Sequence, residues 1–314
     1  MFRNIFERPR KKYELFKFTD CLEIYCLSQQ DKSIRKTEYE KILRLGKDFN
    51  PEDIEEDDNP DRYTMLCNEI FKDVNLRINT YGSSYPFIFD EDEESIKLKS
   101  ELNNEEKLYI VLLITSNLSK LESNQNYFTS FLEIVSFEVV QELFPNADTR
   151  LFGSSNSDHA LVGHFESPKL KDRIQELSNF INQPCKNLSS IRDNNLGDNG
   201  LDIIAMIPTG DTLSSKPLFF IQCASSNEDW VSKQHETSRS IWSPYLEYND
   251  TSVLHFIFIP QSYRNLANKW FSSHKIQQSV LFDRLRICKN VSSYDRIDQT
   301  NAFKLVDHFL NNYE

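Results

Sequence analysis

Hydrophobic and polar positions fall into two regimes along this chain. Through residue 123 the apolar residues recur at helical spacing, which predicts helices over 20–27, 39–45, 60–72 and 103–121. A turn at Tyr81-Gly82-Ser83-Ser84-Tyr85-Pro86 leads into one short strand, Phe87-Ile88-Phe89. From 124 onward helices alternate with short apolar runs. A helix over 128–144 stops at Pro145, since proline cannot continue a helix interior. Strands follow at 149–152, 201–207 and 218–223, with a polar helix at 169–181 reading as an insertion. A helix over 227–242 and a strand at 253–259 come next. A helix over 263–272, a strand at 280–287 and a last helix at 302–310 complete the pattern. The expected fold is α/β: a mainly helical N-terminal domain (1–123), then a domain (124–314) built on a mixed central sheet in the order helix, three strands, helix, strand.

Strand alternation turns this outline into candidate chemistry. Gly197-Asp198-Asn199-Gly200 is a turn that delivers Asp202 onto the apolar run Ile203-Ile204-Ala205-Met206-Ile207, and Gln222 lies within Leu218-Phe219-Phe220-Ile221-Gln222-Cys223. Side chains alternate between faces with period two, so adjacent pairing of the two strands brings Asp202 and Gln222 together at one sheet end. Polar groups buried in such strands need a partner. A carboxylate and an amide oxygen are hard ligands suited to Mg²⁺, which takes only one or two protein carboxylates. Taken singly, Asp202 also reads as a turn residue bonding its own backbone, and Gln222 as an amide satisfying strand-end groups.

Composition narrows the class. A chain of 314 residues, 39% hydrophobic and 27% charged, is long enough for two cores, and no apolar run approaches the ~20 residues of a membrane span. The N-terminus lacks a secretory apolar stretch, which predicts a cytoplasmic protein. Six scattered cysteines without a CxxC pair read as reduced thiols rather than a zinc site. The net charge of −12 weakens a nucleic-acid reading. The acid is concentrated, however, in runs at 52–61 and 90–94 that read as solvated loops. Basic stretches occur at Arg8-Pro9-Arg10-Lys11-Lys12 and at Arg284, Arg286 and Lys289.

The element order, with Gly-Asp-Asn-Gly-Leu-Asp202 ahead of Gln222, resembles the PD-(D/E)XK nuclease superfamily, and within it the Mrr-like restriction endonucleases that carry glutamine where other members carry glutamate. The resemblance covers roughly Phe128 to Ile287. It implies a restriction-endonuclease-like fold and a Mg²⁺- or Mn²⁺-dependent endonuclease acting on DNA. Asp202 and Gln222 would be metal ligands, and a glutamate of the preceding helix would complete the site. Glu138 borders the stripe of Phe131, Ile134 and Val135 and is the first choice; Glu142 is the close rival, while Glu133 lies off that stripe. The superfamily lysine, two residues past Gln222, is replaced by Ala224, and Lys233 on the following helix is the candidate to supply the ammonium. A nuclease domain joined to a helical domain is similar to bacterial restriction and phage-defence proteins, which implies possible protein partners and a possible homodimer. With Ala224 on the lysine's position, the alternative is an inactive nuclease-fold module that binds DNA or docks protein.

Three further sets are weaker. Cys223 with His235 has the composition of a thiol nucleophile and base, although Cys223 alternates away from Gln222. His159 and His164 have a spacing available to a metal but show no third ligand. Trp230, Trp242 and Trp270 read as core or groove aromatics, with no interleaved basic pattern.

Overall fold

The computed structural model describes residues 1–3, 14–45, 61–153, 157–226, 228–247 and 253–311. The basic segment 8–12, most of the acidic run 52–61 and the expected helix start at Asn227 lie outside the described residues. The chain divides into two compact units. The first contains 1–125 and the second 126–260 and 274–304; the segments 261–273 and 305–314 cluster with the first unit, so the division is not the single cut after 123 expected from the sequence.

The first unit is mainly helical. Helices α1 (Leu15–Ser28), α2 (Lys36–Leu45), α3 (Asp61–Tyr81) and α4 (Asn104–Thr115) pack with strands β1 (Ser33–Arg35), β2 (Phe87–Asp90) and β3 (Ser95–Leu98). The strands form an antiparallel sheet in the order β1-β3-β2, of which only β2 was legible in advance. In the acidic run Asp90–Glu94, Asp90 ends β2 and residues 91–94 form the exposed turn to β3. Helix α4 starts in a capping box: Asn103 accepts from the Glu106 N–H while Glu106 accepts from the Asn103 N–H. Its residues Leu108 to Thr115 are all buried. Arg77 is buried among Asp20, Glu23 and Asp73 at 2.6–3.0 Å, and the Tyr85 and Tyr109 hydroxyls donate to Glu23. Three carboxylates around one guanidinium are tolerable in a core because further donors reach them, the two tyrosine hydroxyls at Glu23 and Ser116 Oγ at Asp20 Oδ2.

The second unit is a five-strand mixed sheet interleaved with helices. Helix α5 (Gln125–Leu143) leads to β4 (Asp148–Leu151). After α6 (Leu170–Ile181) come β5 (Ile203–Met206) and β6 (Leu218–Cys223). Two single-turn helices, α7 (Trp230–Lys233) and α8 (Arg239–Trp242), precede β7 (Val253–Phe258), β8 (Val280–Phe282) and α9 (Arg284–Asn290). The last helix, α10 (Asn301–Asn311), runs from the second unit into the C-terminal segment. The strand order is β4-β5-β6-β7-β8, antiparallel through β6 and parallel beyond it.

Alternation along β5 and β6 gives the sheet two covered faces. Ile204, Met206, Leu218 and Phe220 join a core with Leu170, Ile174 and Leu177 of α6 and with Trp242. On the other face Phe144, just past α5, stacks on Phe219 with ring centroids 4.4 Å apart. Three expectations fail here. The segment 263–272 is not a helix but a looped hairpin closed by an Arg264–Trp270 bridge, and residues 284–287 belong to α9 rather than a strand. Asp283 accepts from the Arg286 N–H and so caps α9 immediately after β8. The single helix expected over 227–242 is broken into α7 and α8 by a turn at 234–237. Among the described residues no helix is long and apolar enough to cross a membrane.

Candidate functional site

The site grows from the turn before β5. Asn199 and Gly200 both adopt positive φ (55° and 75°), and Asp198 Oδ1 accepts from the Gly200 N–H at 2.8 Å. Glycine is required at 200 for a second reason: a Cβ there would lie 2.3 Å from Glu236 Cβ. The Arg173 guanidinium, from α6, donates to the Phe152, Leu196 and Gly197 carbonyls and clamps this turn to the end of β4. The chain then enters β5 with Asp202 fixed on both sides. Its N–H donates to Ile221 O at 3.1 Å, and its carbonyl accepts from Phe152 N–H at 2.7 Å.

The pairing Ile203 with Ile221 places Asp202 opposite Gln222, one step beyond the ladder. Both are buried, at 5% and 4% exposure. Asp202 Oδ2 accepts from the Cys223 N–H at 2.6 Å, whereas Gln222 Oε1 has no hydrogen-bond partner among the described residues. An orphaned buried amide oxygen costs about 1–3 kcal/mol, and beside the Asp202 carboxylate it is a second oxygen that could hold a cation.

Glu133 of α5 completes the group. Built onto Gly153, a Cβ would lie 3.4 Å from Glu133 Oε2 and 3.9 Å from Asp202 Oδ1, so the two carboxylates converge on the space this glycine leaves open. His159 Nε2 lies 2.6 Å from Glu133 Oε2. Burial, reinforced by Asp198, raises the Glu133 pKa to about 8, with the Lys233 ammonium offsetting part of the effect. Burial, then Glu133 and Asp198, push Asp202 well above the usual carboxylate range, against the Cys223 N–H and Lys233. Burial lowers His159 to about 4, so its imidazole is neutral at physiological pH.

Asp202, Gln222 and Glu133 line a cleft of about 710 Å³ at the end of the sheet, together with Asp198, Lys233 and Glu236. The strap carrying Lys233 is pinned from below. Trp230 is buried, Gln234 bonds Lys275 O and the Gln277 N–H, and Trp242 Nε1 donates to Glu236 O. The cleft gathers four carboxyl groups around one lysine, and two of them with an amide oxygen suit a hard divalent cation that keeps several waters. Among the described residues, no group of three or more His, Cys, Asp and Glu side chains is arranged as a metal cage.

Asp202, Gln222 and Lys233 are thus brought together, and Glu138 is not. Glu138 Oε1 accepts from Arg296 at 2.8 Å, and Glu142 accepts from Ser292 Oγ at 2.5 Å. Both hold the loop after α9, while Glu133, about 140° away around the helix from Glu138, enters the cleft. The apolar stripe misled because α5 is buried on most of its circumference, so bordering that stripe does not define the sheet end. Cys223 lines the cleft but, through burial first and then Asp202 and Glu133, its thiol is held well above the ordinary range. His235 bonds Gln278 at 3.3 Å in a neighbouring groove, so the Cys223–His235 pair does not form. His164 lies in another groove with Arg150, apart from His159. Ala224 is fully buried, its N–H donating to Phe258 O. Of the C-terminal basic residues, Arg284 is buried and donates to Pro260 O, and Arg286 donates to Leu281 O. Trp230 and Trp242 are core residues. The omissions from the sequence reading were His159, as a partner of Glu133, and Asp198 and Glu236; no local spacing marks them. Comparison with protein families, curated proteins and solved structures finds no match for this chain.

Proposed function

We propose that the protein is a divalent-metal-dependent endonuclease of the restriction-endonuclease-like type, hydrolysing DNA phosphodiester bonds. The observation that carries this reading is the meeting of Asp202, the orphaned Gln222 amide oxygen and Glu133 beside Lys233 in one cleft. The sequence of α5, three antiparallel strands, the α7–α8 strap and the parallel β7 agrees with the element order on which the resemblance rests. In this reading Asp202, Gln222 and Glu133 hold Mg²⁺ or Mn²⁺, with Glu133 in the role expected of Glu138. The bound cation supplies the charge that polarises a phosphoryl oxygen and activates water.

The chain's own groups do the remaining work. In a cleft that otherwise presents four carboxyl groups, Lys233 places its ammonium where the negative charge of a phosphodiester would enter. The Cys223 N–H fixes one Asp202 oxygen, and His159 fixes Glu133, so both carboxylates are oriented before substrate arrives. Action within a restriction or phage-defence system, with protein partners or as a homodimer, belongs to the same proposal.

Supercoiled plasmid incubated with Mg²⁺ or Mn²⁺ tests it. Wild type is expected to nick, Asp202→Ala to abolish nicking, and Lys233→Ala to reduce it strongly. Intact plasmid across metals and salt, or undiminished nicking by Asp202→Ala, sinks the reading. The second reading, an inactive DNA-binding or protein-docking module, draws on Ala224 at the lysine position and the absence of a three-residue metal cage among the described residues. It predicts DNA or partner binding that survives Asp202→Ala without any cleavage.

A further inference from the structure

Arg173 carries a full charge into the second unit with no carboxylate in contact with it. It is 1% exposed. Among the described residues its guanidinium meets three backbone carbonyls, those of Phe152, Leu196 and Gly197, and the face of the Phe152 ring at 5.3 Å, while its Nε has no partner. Arg77, as deeply buried, is by contrast ringed by three carboxylates. A buried charge without a contact counter-ion is destabilising, and a planar donor fork is the one side chain able to bond carbonyls of two chain segments at once. The two segments that Arg173 joins are those that bracket Asp202. On one side the Phe152 and Gly153 N–H groups donate to Asp202 O, and Gly153 leaves open the space on which the Glu133 and Asp202 carboxylates converge. On the other, Leu196 and Gly197 begin the turn that runs through Asp198 and Gly200 into Asp202. The start of α6 is tied to the same loop, since the Leu170 N–H donates to Asn195 O and both residues line the cleft. Burial holds the guanidinium below its ordinary range, and Asp198 is the largest influence opposing that, so the charge is felt across the turn.

We infer that Arg173 is a positioning residue of the metal site: it locks the end of β4 to the turn before β5 in the arrangement that lets Asp202, Gln222 and Glu133 share one cation, without touching that cation itself. The inference rests on the metal-binding half of the proposed function and is independent of whether the bound cation cleaves DNA. A lysine at 173 would keep the charge but offer a single ammonium point, which cannot bond both segments in the fixed geometry of the fork. Groups that orient metal ligands from behind carry a large share of metal affinity, so the loss is expected in binding before it is seen in any rate.

Mn²⁺ binding in the absence of nucleic acid tests it, read from the electron paramagnetic resonance of the free ion, with circular dichroism showing that each variant is folded. Arg173→Lys is expected to weaken Mn²⁺ binding about tenfold, and Arg173→Ala by about 30-fold or more. Millimolar guanidinium chloride, which can occupy the vacated fork, should restore most of the affinity of Arg173→Ala and leave wild type unchanged. Lys171→Ala, on the same helix and paired with Asp193 at the surface, should bind like wild type. If Arg173→Ala does not fold, Arg173→Lys decides. Wild-type affinity in folded Arg173→Lys overturns the inference, because a residue needed only for packing lowers Tm and leaves the affinity of the folded protein alone. An equal loss in Lys171→Ala overturns it as well. Absence of Mn²⁺ binding by wild type at millimolar metal overturns it together with the metal reading. Arg173-dependent binding in a protein that never nicks plasmid supports the inference and counts against the endonuclease reading alone.

Discussion

Glu133 Oε2 and His159 Nε2 lie 2.6 Å apart, in a pair that joins the middle of α5 to the short 3-10 turn after β4. That contact accompanies the one of the helix's three glutamates that enters the cleft. If Glu133 is a metal ligand, its conservative loss should be far costlier than that of Glu138.

Glu133→Gln is expected to lower metal-dependent cleavage by about 100-fold or more, and Glu138→Gln, which only releases Arg296, to leave it within about twofold. His159→Gln acts through orientation, so it should raise the metal concentration giving half-maximal cleavage about tenfold while largely restoring the rate at saturating metal. Plasmid-nicking titrations with Mn²⁺ read both. Equal effects of the two glutamate variants would show that the cleft carboxylate is not used.

Stability of the metal-free protein should fall as pH rises from 6.5 to 8. The Glu133 pKa is raised from 4.5 to about 8, so its contribution is fullest below 4.5 and is lost as pH climbs through 8. His159 works the other way. Its pKa is lowered from 6.5 to about 4, so its contribution is present above 6.5 and lost as pH drops through 4. Between 4.5 and 6.5 the two oppose, and above 6.5 only the carboxylate trend remains. The loss from 6.5 to 8 is of the order of 1–2 kcal/mol, a few degrees in Tm. Thermal scans in EDTA should show the slope, Glu133→Gln should reduce it and leave the part due to Asp202, and millimolar Mn²⁺ should reverse it. A flat wild-type profile in that window contradicts the raised carboxylate.

Gly200 should resist substitution. Alanine there meets both the +75° φ and a 2.3 Å approach to Glu236 Cβ, at a cost of about 2–4 kcal/mol. Adding Glu236→Gly removes the clash but not the backbone strain, so the double variant should recover all but about 1 kcal/mol. Urea denaturation of the single and double variants measures this. A Gly200→Ala protein as stable as wild type would mean that the turn rearranges freely.

Local pattern carried much of the second unit. The run 218–223 is β6 residue for residue, because a six-residue apolar strand bounded by Pro217 leaves no alternative register. Asp202 and Gln222 could be placed together in advance because both follow from period-two alternation once β5 and β6 are neighbours. Helix 263–272 failed for the opposite reason. Its apolar residues Tyr263 and Phe271 pack on Phe16, far off in sequence, and the intervening backbone loops out to let them do so.

The sequence by itself determined the strand alternation, the glycine turn before β5 and hence the juxtaposition of Asp202 with Gln222, since each depends on residues a few positions apart. Tertiary structure decided the third carboxylate. A helix buried around most of its surface has no single inward stripe, so the choice of Glu133 over Glu138 was fixed by where the sheet ends, by the space at Gly153 and by His159. It also decided that Lys233 lines the cleft while Arg239, six residues on along the same strap, lines the neighbouring groove. That division depends on breaking one expected helix into two single turns, which the buried Trp230, Gln234 and Trp242 enforce through contacts that no local periodicity encodes.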